Sequence, residues 1–261
     1  MRPKTCQVNG IAMRIRAEGD RRNPAVVLSN SLGTEHTMWD AQAEELVRHF
    51  HVIRYDTRGH GGSASPPGPC SVELLGNDVL ALLDHLDIRR AHFVGLSMGG
   101  VIGQWLGVHA PDRIDHLVLA NTASRIGTEE GWRARASAVR SDGLEGIAAG
   151  SPGRWFTPSF VENHAAAVQA MLQVLRLQAP EGYAACCDAL AVADLRDEIG
   201  TIRAPVLVIA GNGDPVTTVG DAQALCTAIP RAALAIVPAS HLSSIEAPRA
   251  FTRELLSFLR T

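Results

Sequence analysis

The chain has 261 residues, of which 46% are hydrophobic and 20% are charged, and its formal net charge is −3. This length fits one domain or one domain with an insertion, and the composition excludes disordered, collagen-like and coiled-coil proteins. The slightly acidic balance, with no lysine- or arginine-rich run, argues against a nucleic-acid-binding protein.

The N-terminal segment lacks the apolar stretch of a secretory signal, and no segment approaches the ~18 apolar residues of a membrane span. The cysteines number five, and no CxxC pair occurs among them, so no disulfide framework is expected. We therefore expect reduced thiols in a cytoplasmic protein that has no membrane contact, with a strained redox pair of the adjacent Cys186 and Cys187 as the disfavoured alternative.

Short apolar runs alternate with helical patterns in the first half of the chain, which is typical of β-α-β units. Strands are predicted over 25–30, 51–59, 91–97 and 114–121, and helices over 39–49, 72–87 and 98–109. Because the crossovers between these buried strands are short, we expect a mainly parallel sheet with helices on both faces.

Residues 122–196 interrupt this alternation, since they are alanine-rich and helical in pattern, with repeated glycine and proline breaks and no clear strand. We interpret them as a helical cap inserted into a core formed by 1–121 and 197–261. After the cap, strands are predicted over 204–214 and 233–240, and helices over 221–228 and 248–259.

The GLSMG motif of residues 95–99 lies between a predicted strand and a predicted helix. A G-x-S-x-G motif in this context places its serine on a sharp turn that projects the hydroxyl above the sheet. No lysine follows at the spacing of a phosphate-binding loop. We therefore interpret Ser97 as a nucleophile.

A serine nucleophile needs a base, and the base needs a carboxylate to orient it. Asp214 and His241 each follow a late predicted strand, and they come after Ser97 in the order expected for this architecture. Because residues beyond the carboxyl ends of parallel strands share one crevice, we expect these three side chains to meet.

Two other polar residues follow an early strand and compete with these assignments. His60 lies beyond a strand end, but a histidine that braces the loop is the favoured interpretation. Asp56 precedes Ser97 in the chain and is interpreted as structural. No HExxH or other dense ligand spacing occurs, so no metal site is expected.

An oxyanion hole in this architecture combines two backbone N–H groups, one directly after the nucleophile and one from the loop after an early strand. These groups are predicted to belong to Met98 and to Leu32.

Longer sequence segments, several of which contain these motifs, are similar to those of a known family. They are SNSLGT (29–34), RYDTRGHGGS (54–63), GLSMGG (95–100), ANTASRIGT (120–128), RWFTP (154–158) and ADLRDEI (193–199). Together they resemble the 3-oxoadipate enol-lactonases, α/β hydrolases of bacterial aromatic degradation. The resemblance implies a mainly parallel sheet of eight strands and the hydrolysis of a five-membered enol lactone that carries an acetate arm, without a cofactor.

The resemblance also implies the roles of the triad in that reaction. Ser97 would attack the lactone carbonyl, His241 would take and return its proton, and Asp214 would orient the histidine. The alternatives are a generalist carboxylesterase or a carbon–carbon bond hydrolase of the same fold, and a non-catalytic ligand receptor. The sequence does not indicate an oligomeric state, and the expected partner is a small molecule.

A carboxylate on the substrate should meet a cation, because a buried anion without a partner is costly. In the first cap helix, Arg135 follows Trp132 by three residues and flanks the same stripe. This W-x-x-R spacing resembles that of the enol-lactonase cap. We predict that Arg135 binds the carboxylate and that Trp132 forms a pocket wall, with Arg154 beside Trp155 as the second candidate.

Overall fold

Eight strands form one sheet in the computed structural model, which describes residues 3–261. The strands are β1 (Lys4–Val8), β2 (Ile11–Glu18), β3 (Ala25–Ser29), β4 (His51–Tyr55), β5 (Ala91–Leu96), β6 (Ile114–Ala120), β7 (Val206–Gly211) and β8 (Ala232–Val237). Their order in the sheet is β1-β2-β4-β3-β5-β6-β7-β8. Strand β2 is antiparallel to β1 and β4. The other six strands, β4, β3, β5, β6, β7 and β8 in sheet order, are parallel to one another.

Helices cover both faces of this sheet, and every residue of β3, β4, β5 and β7 is buried. The core helices are α1 (Asp40–Leu46), α2 (Val72–His85), α3 (Met98–His109), α10 (Val219–Ala228), α11 (Ser243–Glu246) and α12 (Pro248–Leu259). Between β6 and β7 lie α4 (Glu129–Asp142), α5 (Glu145–Gly150), α6 (Pro152–Trp155), α7 (Pro158–Asn163), α8 (Ala165–Arg176) and α9 (Pro180–Val192).

The fold class agrees with the sequence prediction, but several element bounds were wrong. The strand predicted over 51–59 ends at Tyr55, because a turn follows in which Gly59 has a φ of 75°. The strand predicted over 204–214 is Val206–Gly211, and the one predicted over 233–240 is Ala232–Val237. The antiparallel hairpin of β1 and β2 had not been assigned from the pattern.

We propose that the segment 122–196 is a cap on the core of 1–121 and 197–261. Its helix α9 packs against α4 and also lies on a core loop. At that loop the backbones of Gly59 and Gly182 are so close that a Cβ on Gly59 would lie 2.5 Å from the Gly182 Cα. The cap is therefore joined to the core by a contact between two backbones.

None of the helices within 3–261 has the length and apolarity that crossing a bilayer requires. Cys186 and Cys187 are both buried, and neither forms a disulfide within residues 3–261.

Candidate active site

Ser97 occupies the turn between β5 and α3, with a φ of 57° and a ψ of −114°. This backbone conformation is strained for a residue with a side chain. The neighbouring glycines make the turn possible: a Cβ on Gly95 would lie 2.0 Å from the Gly99 carbonyl oxygen, and one on Gly99 would lie 2.3 Å from that of Ser29. The turn therefore requires glycine at both positions.

The structure brings together the three side chains that the sequence predicted to meet. The His241 Nε2 lies 2.9 Å from the Ser97 Oγ, and the His241 Nδ1 lies 2.8 Å from the Asp214 Oδ2. With Nδ1–H donating to the carboxylate, Nε2 is free to accept the serine proton. This is the geometry that a Ser-His-Asp triad requires.

Asp214 is held by more than the histidine. Its Oδ2 accepts hydrogen bonds from the Asn121 Nδ2 at 2.9 Å and the Thr217 Oγ1 at 2.7 Å, and its Oδ1 accepts from the backbone N–H of Val216 at 2.7 Å. Burial alone would raise the pKa of the Asp214 carboxyl, but the bonds from His241, Asn121 and Thr217 outweigh burial and lower that pKa. The carboxylate is therefore ionised at neutral pH.

Sequence reasoning missed Asn121, which follows the end of β6 and has a φ of 44°. Its amide donates to Asp214 and to the Ser240 carbonyl, and its Oδ1 accepts from the Ser243 hydroxyl. Asn121 thus links the loop of the carboxylate to the loop of the histidine. Its position beyond a parallel strand end was the available signal.

The two predicted oxyanion-hole groups lie beside the nucleophile. Leu32 lines the cavity in front of Ser97, and Met98 begins α3, so its N–H adds to the positive end of the helix dipole. Within the described chain, neither the Leu32 N–H nor the Met98 N–H donates a hydrogen bond to another group. Both donors are thus available to an oxyanion, and we propose this role for them.

His60 and Asp56 lie outside the triad and brace the loops behind it. The His60 Nε2 accepts a hydrogen bond from the Gly33 N–H at 3.0 Å, which fixes the residue next to Leu32. Burial lowers the pKa of His60 to about 4, so the ring is neutral and can accept this bond. Asp56 accepts bonds from the ring and backbone N–H groups of His36.

A cavity of about 130 Å³ opens between the triad and the cap. It is smaller than the roughly 300–1,000 Å³ of most ligand pockets. The core contributes Ser31, Leu32, Ser97, Val216 and His241, and the cap segment contributes Ile126, Trp132, Arg135, Gly146, Ile147, Gly150, Ser151, Arg154, Trp155 and Tyr183. All four predicted substrate-binding residues therefore line this cavity.

A wider mouth of about 490 Å³ adjoins this cavity and shares Ile126, Trp132, Arg135, Arg154 and Val216 with it. The mouth is lined by residues at the start of α4 and by the loop after Asp214, and we propose it as the route by which substrate reaches the triad.

The two arginines carry the positive charge of the cavity. Neither Arg135 nor Arg154 forms an ion pair with a carboxylate of the part of the chain that the structure describes. The Arg135 guanidinium lies 5.0 Å from the centre of the Trp132 ring. Partial burial and the nearby Arg135 charge lower the pKa of Arg154. Two cations that share a cavity without an anion are suited to bind one.

The tryptophans shape the cavity and join it to the core. The Trp132 Nε1 donates to the Ile126 carbonyl, so its ring is fixed as a wall. Trp155 is buried, and its carbonyl accepts a 2.9 Å bond from the N–H of Leu242, which directly follows His241.

Comparisons with known proteins agree with this architecture. The sequence profile of the alpha/beta hydrolase fold family matches residues 24–159, more than half of the chain. The 3-oxoadipate enol-lactonase 2 of Acinetobacter baylyi is 46% identical over 256 residues, which are 98% of this chain and 96% of that protein.

Two solved structures extend the comparison. The crystal structure of the enol-lactonase from Burkholderia xenovorans is 43% identical, covers 99% of this chain and 100% of its own, and superposes with a TM-score of 0.97. A thermophilic esterase from Thermogutta terrifontis, solved with malate bound, is 28% identical, with a TM-score of 0.94 over 100% of this chain and 98% of its own. The chain therefore belongs to the α/β-hydrolase family and, within it, to the 3-oxoadipate enol-lactonases.

Proposed function

We propose that the protein hydrolyses 3-oxoadipate enol-lactone to 3-oxoadipate through an acyl-enzyme on Ser97. The observation that carries this proposal is one small cavity in which a hydrogen-bonded Ser97–His241–Asp214 set faces the unpaired Arg135 and Arg154. The triad attacks an ester carbonyl, and the arginines bind a substrate that carries a carboxylate.

Acylation begins when the Ser97 Oγ attacks the lactone carbonyl and His241 takes the serine proton. The tetrahedral oxyanion is stabilised by the N–H groups of Leu32 and Met98. The ring C–O bond then breaks, and His241 returns the proton to the departing enol oxygen. That enol remains attached through the carbon chain and becomes a ketone by tautomerisation.

Deacylation uses the same groups in a second round. His241 takes a proton from a water molecule, the resulting hydroxide attacks the acyl carbonyl, and Ser97 leaves with the proton from His241. Asp214 remains ionised and stabilises the imidazolium in both rounds. The steps use only protein groups, substrate and water.

Recognition of the acetate arm is proposed for Arg135, with Arg154 as its neighbour. A guanidinium binds a carboxylate through charge-assisted hydrogen bonds, which are stronger than neutral ones. The malate in the related esterase structure is also a carboxylate-bearing ligand, which supports an anion site in this fold. The small cavity favours a compact ring over a long acyl chain.

The test is a lactone-opening assay followed in ultraviolet light, with the enol lactone generated in situ. We expect kcat/KM for this lactone to exceed that for a neutral ester of equal size by at least tenfold. Equal rates on both substrates would favour a generalist carboxylesterase, and turnover of a vinylogous diketone alone would favour a carbon–carbon bond hydrolase. Failure of a fluorophosphonate probe to label Ser97 would favour a non-catalytic receptor.

A further inference from the structure

The amino-terminal end of the sheet, opposite the triad, contains a second cluster of polar side chains. Ala91 pairs with Ile114 and Phe93 with Leu117, so a single residue of β5 faces two residues of β6. This two-against-one arrangement is a β-bulge, which is rare between parallel strands and re-aims side chains. The single residue is His92, and the two opposite are Asp115 and His116.

The bulge brings three potential metal ligands together. The His92 Nδ1 lies 3.8 Å from the Asp115 Oδ2, and the His116 Nδ1 lies 3.9 Å from the same oxygen. One ligand atom from each residue lies within 4.8 Å of the others. Ligand atoms around a tetrahedral Zn²⁺ are roughly 3.3 Å apart. Small rotations of the three side chains therefore suffice to close the set around an ion.

The two imidazole nitrogens that face the carboxylate have no hydrogen-bond partner within 3–261. The His92 side chain is only 5% exposed, so its Nδ1 does not find a partner in bulk water. Buried polar atoms are normally hydrogen-bonded, and two orphaned nitrogens directed at one carboxylate oxygen require an explanation. A shared metal ion would satisfy all three atoms.

The surroundings of His116 and Asp115 also suit this arrangement. The Thr261 hydroxyl donates to the Phe258 carbonyl at 2.8 Å, which leaves its oxygen to accept from the His116 Nε2–H at 3.5 Å. That tautomer leaves the His116 Nδ1 lone pair free for an ion. The Arg90 Nη1 lies 3.3 Å from the other carboxylate oxygen, Oδ1, and so leaves Oδ2 available.

In a second cluster of potential metal ligands, the histidine nitrogen already has a hydrogen-bond partner. Glu35, His36 and Asp56 also lie close together. There the His36 Nδ1 is already hydrogen-bonded to the Asp56 Oδ1 at 2.7 Å, and Asp56 also accepts from the Gly62 N–H. Its nitrogen and oxygen atoms serve as loop braces, so that cluster carries no site.

We propose that His92, Asp115 and His116 form a binding site for one divalent transition-metal ion of the Zn²⁺ or Ni²⁺ type. Imidazole and carboxylate ligands suit these ions, and water completes the coordination. Asp115 is 41% exposed and provides the route of entry. The site lies about 16 Å along β5 from Ser97, at ~3.3 Å per residue, so it stabilises the fold and takes no part in hydrolysis.

The sequence had predicted no metal site. Its ligands come from two neighbouring strands and are separated by a helix, so they form no compact motif. The bulge that unites them follows from the strand register, which composition and spacing do not reveal.

The test uses chelator-treated full-length protein that is titrated with Zn²⁺ in a calorimeter. We expect one ion per chain at micromolar concentration and, at a hundredfold excess over Kd, a rise in Tm of roughly 5–10 °C. Asp115→Asn and His116→Gln should each weaken binding at least tenfold. Lactone hydrolysis should remain within twofold of wild type in both variants.

The matched control is His109→Gln, which removes a half-exposed histidine that pairs with Glu198 and packs against the Trp105 ring. It should bind Zn²⁺ as wild type does. The proposal is overturned if folded wild type binds no Zn²⁺ below millimolar concentration, or if the double variant Asp115→Asn/His116→Gln binds it equally well. Both outcomes are independent of whether the lactone is the substrate.

Discussion

The core side and the cap side of the active-site cavity are built differently. On the core side, Ser97, Asp214 and His241 are 7%, 6% and 3% exposed, and each is hydrogen-bonded to another member of the set. On the cap side, Arg135 and Arg154 are more exposed and have no carboxylate partner within 3–261. This difference fits our proposal that the core provides the catalytic groups and the cap segment provides the groups that bind the substrate.

The largest effect expected on the core side comes from the nucleophile. Ser97→Ala should lower kcat by ~10⁴–10⁶, because the remaining catalysis comes only from the oxyanion hole and binding. The Tm should not fall, since alanine fits the turn as well as serine does. Steady-state kinetics and thermal melts check both expectations. A variant that kept a tenth of wild-type turnover would rule out the serine-hydrolase mechanism.

The second-largest loss of kcat is expected when the carboxylate of Asp214 is replaced. Asp214→Asn should lower kcat by ~10⁴, because the amide favours the wrong His241 tautomer and no longer stabilises the imidazolium. Asp56→Asn is the matched control, since Asp56 is equally buried but contacts His36 and Gly62 instead. It should lower the Tm and retain most of kcat. The opposite pattern in the two kinetic profiles would show that the acid was misassigned.

On the cap side the expected loss is smaller and selective. Arg135→Ala should reduce kcat/KM for the carboxylated lactone by ~10–100-fold, through the loss of one charge-assisted contact, and leave a neutral ester within a few-fold. Arg133→Ala is the matched control, because Arg133 lies on the same helix and pairs with Glu129 at 2.8 Å. If both substrates lose rate equally, Arg135 maintains the cap and does not bind the carboxylate.

The smallest effect concerns stability on the core side. His60 has a folded pKa of about 4 against an ordinary value of 6.5, so the unfolded chain binds its proton more readily. The contribution of the neutral His60 ring to the free energy of unfolding is complete above pH 6.5. It is lost as the pH falls towards 4, and this loss amounts to up to about 3 kcal/mol. His60→Gln keeps an acceptor for the Gly33 N–H, so its urea-unfolding free energy should depend less on pH in this window. Identical pH profiles would assign the loss of stability to other groups.

The prediction that Ser97, Asp214 and His241 meet, as they do in the structure, rests on three local rules that agree. A glycine-flanked serine, a strand end and chain order each restrict the positions of Ser97, Asp214 and His241. The helical repeat of α4 likewise placed Arg135 beside the stripe of Trp132, and the W-x-x-R resemblance favoured it as the residue that binds the carboxylate. These features depend on neighbours in sequence, which pattern analysis can use.

The remaining features depend on contacts between distant segments. The bond from Asn121 to Asp214 joins groups 93 residues apart, and the bond from Gly33 to His60 joins two loops. The hairpin of β1 and β2 was not assigned because its residues alternate between buried and partly exposed, a weaker signal than a continuous apolar run. Tertiary packing determines these features, and one sequence does not specify it.

The backbone contact between Gly59 and Gly182 has a consequence for how molecules enter and leave. Because α9 and the core loop are in direct contact at this point, we expect substrate and product to pass instead through the mouth that Gly131 and Val216 line. Replacement of Gly131 by a residue with a larger side chain should then slow product release, whereas a covalent crosslink between α9 and the core loop should not. Substrate entry and product release would in that case not require α9 to separate from the core.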